Sequence, residues 1–247
     1  MTLVLVHGNP ETEAIWGPLV AALGRADVVT LSPPGFGAPL PDGFDATFIA
    51  YRDWLEQELV NIGGTIDLVG HDWGGGHVVN AVMHRPELVR SWVSDVLGIF
   101  DADYVWHDMA QLWQTPDVGE AAIEAMMSGT EQERADRLAA LGIGDDVATA
   151  LAAGLNADMG EAILKLYRSA AQPAAATAGR ELEVAAARPG LSILATEDHY
   201  VGSPEVRRRA ADRAGARTEV FEGLGHWWMV EDPDRAAAAL TAFWASV

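Results

Sequence analysis

Thr65-Ile66-Asp67-Leu68-Val69-Gly70-His71-Asp72-Trp73-Gly74-Gly75 is an apolar run, a glycine-bounded turn and the start of a helix-compatible segment. Glycines on either side of the central residue permit a sharp, strained strand-to-helix turn that lifts the Asp72 side chain clear of a sheet. Serine is the usual residue at the tip of such an elbow. Aspartate there moves the chemistry from acyl transfer to alkyl transfer. A carboxylate at a helix N-terminus is held as an anion by backbone N–H groups and the dipole, and it can displace a leaving group from saturated carbon without a base. Gly-x-Asp-x-Gly alone is also the pattern of a βα turn with an N-capping aspartate, so the flanking sequence has to decide.

Working outward, Leu3-Val4-Leu5-Val6 reads as a buried strand running into His7-Gly8-Asn9-Pro10. A loop of that form supplies one backbone N–H to an oxyanion hole, the other coming from the residue after the nucleophile; here these are Asn9 and Trp73. Downstream, the strand-like Ser192-Ile193-Leu194-Ala195 leads into Thr196-Glu197-Asp198, and Thr218-Glu219-Val220-Phe221 precedes Gly223-Leu224-Gly225-His226-Trp227. Nucleophile Asp72, acid Asp198 and base His226 thus follow one another in a triad order.

Around these motifs strand and helix alternate. Strands are expected near 2–6, 27–31, 65–69 and 92–97, and helices near 14–24, 46–61 and from the elbow to about Arg85. Such alternation implies a mostly parallel sheet with helices on both faces. After Phe100 it stops, and to about Arg188 the chain is helical in character, broken at Pro116, Gly129, Gly142, Gly144 and Pro173. From Gly190 it resumes, ending in a helix near 233–246. The expected organisation is a core of residues 1–100 and 189–247 with residues 101–188 inserted as a helical cap.

The His-Gly-x-Pro loop, the His-Asp-Trp-Gly-Gly elbow and the Gly-His-Trp segment together resemble the aspartate-nucleophile branch of the α/β-hydrolases, which includes epoxide hydrolases, haloalkane dehalogenases and fluoroacetate dehalogenases. The resemblance implies the α/β-hydrolase fold with an inserted cap, and an N-terminal antiparallel hairpin that is shortened or absent. It further implies hydrolysis of epoxides to vicinal diols: Asp72 forms a covalent alkyl ester, which a water activated by His226 then hydrolyses. Asp198 occupies the usual position of the acid. Asp95, in Ser94-Asp95-Val96, stands where some dehalogenases of the branch carry it instead. Leu166-Tyr167-Arg168 resembles the Tyr-Arg pair of epoxide hydrolase caps, in which the tyrosine protonates the departing oxygen. The segment Leu112-Trp113-Gln114-Thr115-Pro116-Asp117-Val118 resembles another piece of such caps. The first tyrosine of the expected pair is missing, its place being taken by Met109, with Tyr104 available a few residues upstream as a second tyrosine. Met109, Trp113 and Trp227 are expected to line the substrate pocket.

The alternative is haloalkane dehalogenation by the same ester mechanism, with Asn9 and the indole N–H of Trp73 as the halide-binding pair. Fluoroacetate dehalogenases hold their substrate with arginines beside the nucleophile, where this chain has Trp73 and Gly76. A non-catalytic ligand-binding homologue is a third reading. No Gly-x-Ser-x-Gly occurs, which excludes an ordinary serine esterase.

With 36 acidic and 16 basic residues among 247, the net charge of −20 argues against nucleic acid or an anionic membrane as partner. A small neutral organic electrophile is compatible with it. No cysteine is present, so neither disulfide, thiol nucleophile nor thiolate metal site is expected. The remaining histidines lack metal-site spacing, and neither metal nor cofactor is expected. With no leader and no apolar run of membrane-spanning length, the expectation is a cytoplasmic protein, and arginine-biased, alanine-rich composition suggests a bacterial source. Oligomeric state, substrate size and stereochemistry are not set by these patterns.

Overall fold

An apolar run without polar alternation forms a strand buried on both faces. Leu3, Val4, Leu5 and Val6 behave so: in the computed structural model, which describes residues 1–247, all four are inaccessible to solvent. They belong to β1 (Thr2–Val6), flanked by β2 (Val28–Leu31) and β3 (Ile66–Gly70), with β4 (Ser91–Ser94), β5 (Gly190–Ala195) and β6 (Ala216–Phe221) following outward from β3. Every pairing is parallel, and Val4 lies opposite Val29 on one side and Leu68 on the other.

The connections explain where a ligand can enter. From β1 the chain steps outward through α1 (Gly17–Leu23) to β2, then returns over β1 through α2 (Phe48–Ile62) to β3 and continues through α3 (Trp73–His84) to β4. The strand order reverses beside β1, so the loops leaving the carboxyl ends of β1 and β3 diverge and leave a crevice between them.

Between β4 and β5 the chain is helical: α4 (Asp108–Gln114), α5 (Val118–Met127), α6 (Glu131–Ala139), α7 (Asp145–Ala152), α8 (Ala157–Ala170), α9 (Ala174–Ala178) and a 3-10 stretch, Gly179–Ala187. In α8 the i, i+3, i+4 spacing buries Met159, Ala162, Ile163, Leu166, Tyr167 and Ala170 on one side, while Arg168 faces outward to Glu120. α10 (Pro204–Arg213) links β5 to β6, and α11 (Trp228–Glu231) and α12 (Pro233–Trp244) close the chain. α1 and α12 pack together on one face of the sheet; α2, α3 and the 3-10 stretch pack on the other.

Sixty-four buried apolar residues form one continuous cluster that joins sheet residues such as Val69 to Trp113, Leu151 and Ile163 of the helical insertion. The insertion therefore shares the core of the sheet. Its last part lies on the sheet layer itself, where Ala185 accepts the indole N–H of Trp92 at 3.1 Å.

Two local features differ from the sequence expectation. The strand expected over 92–97 ends at Ser94, because the Ser94 hydroxyl accepts the N–H of Val96 and Asp95 turns toward the elbow; Leu97–Phe100 is a 3-10 turn. The first helix is split into a 3-10 turn, Glu13–Trp16, and α1, which starts with Pro18 in its first turn. The chain shows no antiparallel strand in the sheet. No helix is long and apolar enough to cross a membrane.

Candidate active site

The elbow forms because two glycines let backbone meet backbone. A Cβ on Gly74 would strike the carbonyls of Val6 and His7, and one on Gly70 would strike the backbone of Gly74, so α3 starts directly against β1. Between them Asp72 takes φ 49° and ψ −126°, a conformation that costs about 1–3 kcal/mol for a residue with a side chain. The surrounding bonds hold it there. Its N–H donates to Asp95 Oδ1 at 2.9 Å, and its carboxylate accepts the N–H of Asn9 at 2.9 Å. The carboxylate makes no capping bond to α3, which separates it from an ordinary N-cap aspartate.

The carboxyl ends of the strands deliver the other polar groups. Asp198, after β5, accepts from His226 Nδ1 at 3.0 Å, and the opposite nitrogen, Nε2, lies 3.8 Å from Asp72 Oδ2. Asp198 also accepts the N–H of Tyr200. Burial works against its charge, yet His226 and the buried Arg207 hold its carboxyl at about 2. Burial likewise disfavours a charged His226, but Asp198 outweighs it and raises the pKa above the ordinary histidine value. For Asp72 burial wins: its pKa is raised despite His226, His71 and the Trp73 N–H, so the helix N-terminus does not dominate its ionisation as the sequence reading expected.

Asp95 does not contact His226. It sits behind the elbow, bonded to His71 Nδ1, to the Asp72 N–H and to the Trp228 indole N–H at 2.8 Å. The other nitrogen of His71 reaches Glu11 Oε1 at 3.1 Å; Glu11 in turn accepts the Gly8 N–H at 2.9 Å and the Trp227 indole N–H at 2.8 Å. All three side chains are fully out of solvent. Burial opposes a charge on His71, but the carboxylates on both sides lift its pKa well above the ordinary value, and His71 helps bring Glu11 down to about 2 against its burial. The result is an imidazolium bracketed by two carboxylates. Donor atoms of Glu11, His71 and His226 lie within 4.8 Å of one another. A metal there would have to replace the Nε2 proton that His71 shares with Glu11, and with that proton in place the cluster reads as an ion-pair array.

In front of Asp72 lies a cavity of about 590 Å³. Asn9, Asp72, His107, Tyr167, Tyr200 and His226 form its polar end, and Met109, Trp113 and Trp227 line it as the sequence suggested. Toward solvent it is walled by Ala122, Ala125, Met126, Leu138, Ala140 and Leu141. The Tyr167 hydroxyl accepts from Asn9 Nδ2 at 3.4 Å, and its ring stands edge-on to that of Trp73. Tyr104 is turned away from this cavity, its hydroxyl donating to the carbonyl of Tyr200 at 3.1 Å. Sequence reasoning missed Glu11, Arg207, Tyr200 and His107 as parts of the site. For Glu11 the signal was its place one residue beyond Asn9-Pro10; for the rest it was weaker.

Replacing His71 with alanine strips the cation from two buried carboxylates and is expected to cost about 3–5 kcal/mol. Urea denaturation at neutral pH measures this; a loss under about 1 kcal/mol, the scale of an exposed ion pair, would contradict a buried imidazolium.

Residues 3–239 match the model of the alpha/beta hydrolase family. No curated protein sequence matches the chain. Among solved structures, haloalkane dehalogenase DbeA from Bradyrhizobium elkani is similar at 21% identity with TM-score 0.76, covering 100% of this chain and 91% of that one. E-2-(acetamidomethylene)succinate hydrolase is 19% identical with TM-score 0.75, covering 99% and 91% respectively. A thermophilic esterase from Thermogutta terrifontis is 17% identical with TM-score 0.72, covering 100% and 90%. Their names span different bonds cleaved, and at this identity the likeness is one of fold. With the family match running over nearly its whole length, the chain belongs to the alpha/beta hydrolase family.

Proposed function

We propose that this protein hydrolyses epoxides of small neutral organic molecules to vicinal diols through an ester on Asp72. The observation that carries this reading is the environment of the Tyr167 hydroxyl. Its oxygen accepts from Asn9 Nδ2 at 3.4 Å, its ring stands edge-on to that of Trp73, and it donates to no protein acceptor. A hydroxyl has two lone pairs and one hydrogen; with Asn9 on a lone pair and no protein acceptor for the hydrogen, that hydrogen remains to be given to a substrate in the cavity that Tyr167 and Asp72 share.

An Asp72 oxygen bonds to an epoxide carbon as the ring C–O bond breaks, and the released electron pair on oxygen takes the Tyr167 proton. Burial, followed by the negative charge of Asp72, pushes the Tyr167 pKa well up, while Asn9 and Trp73 pull it down. Formation of the ester removes the charge on Asp72. The phenolate is therefore least opposed once the proton has been given. His226, oriented by Asp198, then takes a proton from water, whose oxygen attacks the ester carbonyl while the N–H groups of Asn9 and Trp73 hold the oxyanion. Collapse releases the diol, the second water hydrogen going to its new hydroxyl, and His226 returns its proton to restore Tyr167. Residues 101–188 act as the cap that supplies Tyr167 and the apolar wall, over a core of residues 1–100 and 189–247.

One observation favours a second reading, haloalkane dehalogenation: Asn9 Nδ2 and the Trp73 ring stand together at one point beside Asp72, where a halide cradle would form, and similar structures include haloalkane dehalogenases. The Tyr167 oxygen occupies that point, which favours the epoxide.

The experiment is turnover on styrene oxide and alkyl epoxides beside terminal bromo- and chloroalkanes, with diol and halide followed separately. Diol without halide is expected; halide without diol would reverse the assignment. Tyr167→Phe should lower epoxide turnover by about 10²-fold or more, whereas a dehalogenase would keep its halide release. His226→Gln should halt the reaction at the ester, seen as a mass increase on Asp72 equal to the epoxide; no adduct with any epoxide would refute the mechanism. Because His226 must be neutral to accept a proton and its pKa is raised by Asp198, single-turnover ester hydrolysis should rise with pH to a plateau, with a midpoint above the ordinary histidine value. Asp198→Asn should move that midpoint down.

A further inference from the structure

A basic side chain on a helix surface ordinarily pairs with a carboxylate one turn away. With 36 acidic residues to 16 basic ones such partners are plentiful, and in the helical insertion Lys165 pairs with Glu161 and Arg168 with Glu120. Two arginines of α6 depart from this pattern. Arg134 and Arg137 donate to backbone carbonyls and to no carboxylate. Glu133 stands at the favourable i, i+4 spacing before Arg137, yet it turns back to accept the N–H and hydroxyl of Thr130, while Asp136 accepts the amide of Gln132.

The carbonyls hold both guanidinium groups in place. Arg134 Nη1 donates to Gly129 at 2.8 Å and its Nε to Ala152 at 3.4 Å; Arg137 Nη2 donates to Ser128 at 2.7 Å and to Met126 at 3.1 Å. The two side chains therefore meet at consecutive carbonyls, those of Ser128 and Gly129, just beyond α5. A carbonyl orients a cation without neutralising it. Arg134 Nη2 and Arg137 Nε and Nη1 bond to no protein group, so donors remain for a ligand. Both residues line the cavity in front of Asp72, on the side of Met126 and Leu138, Arg134 half-buried and Arg137 exposed. Asp72, at the inner end, is the one carboxylate of that lining, and the wall beside the arginines is apolar.

We propose that Arg134 and Arg137 form a carboxylate-binding subsite at the outer end of the cavity, and that the preferred epoxides carry a carboxylate on an apolar chain, remote from the ring. The inference rests on the epoxide reading above: neutral epoxides react at Asp72, and the subsite adds a hold on the far end of an acid. Planar guanidinium groups present paired N–H donors that match the two oxygens of a carboxylate. The net charge of −20 repels an anion from the protein as a whole. An acid is therefore preferred only where a local cation outweighs that field. A contact this far from the reacting atoms is made equally in the ground and transition states, so it lowers KM and leaves kcat alone.

The test compares terminally epoxidised hexanoic, octanoic, decanoic and dodecanoic acids with their primary amides, which match them in shape and lack the charge. At the chain length that spans the cavity, the acid is expected to show a KM about 10-fold below that of its amide, at equal kcat. Raising the NaCl concentration should shrink this preference, because salt screens the arginine contact. Arg134→Gln/Arg137→Gln should abolish it, and Arg134→Lys/Arg137→Lys, which keeps both charges and donors for the carbonyls, should retain part of it; urea midpoints check the fold of each variant. Acids no better than amides at every length, a preference that grows with salt, or one that survives the glutamine pair would overturn the subsite and leave epoxide hydrolysis intact. Calorimetry with decanoate and decanamide needs no turnover: tighter binding of decanoate by the wild type, lost in the glutamine pair, is expected, and equal binding of the two would overturn the subsite. No diol from any epoxide would overturn the epoxide reading, and the calorimetry would still decide the subsite.

Discussion

A single buried cation fixes the relative position of three loops. His71 stands between Glu11 and Asp95, and through those carboxylates it reaches the Gly8 N–H on the loop after β1, the Asp72 N–H at the elbow, and the indoles of Trp227 and Trp228 beside His226. Two anions and one cation without solvent are costly unless each remaining lone pair and hydrogen is used. Here the spare carboxylate oxygens take N–H groups from the loops that carry the site. The desolvation cost thus holds the backbone where Asn9 and Trp73 must direct their N–H groups, and it braces the strained φ of Asp72 from behind.

The sequence was most readable where backbone geometry dictates residue type. Gly70 and Gly74 announce the elbow because no side chain fits there, and the apolar runs of β1 and β3 announce a sheet covered on both faces. Asp198 was legible from its place just after a strand. What could not be read was pairing between loops. Asp95 and Asp198 both follow strands as carboxylates, and only the order of those strands in the sheet brings one to His226 and the other to His71. Tyr104 was a reasonable donor by proximity in sequence, but the 3-10 turn after β4 aims its hydroxyl at the Tyr200 carbonyl. His107 lay two residues from the place where a tyrosine was sought, and its place in the cavity wall depends on where α4 starts, which a residue letter does not encode.

The position of the Tyr167 oxygen ties the choice of chemistry to one atom. The Asn9 amide, beside the Trp73 ring, defines a point of positive potential next to Asp72. An empty point of that kind suits an anion; filled by a phenol, it strengthens an acid. α8 fills it by putting Tyr167 on its buried face, two helical turns after Met159 and Gly160 have set that face against the rest of the protein. The same scaffold can therefore exchange an anion receptor for a proton source without altering the triad-like geometry at the strand ends.

The cavity has two ends built from different material. Its inner end consists of side chains that leave strand termini and are locked by charge, whereas its outer wall is a helix surface with small residues, Ala122, Ala125 and Ala140, the last two exposed. Enlarging any of these would narrow the entrance without disturbing a bond at the inner end. The size of molecule admitted is thus set by a few alanines of that wall, while the geometry of the inner end is set by the buried ions.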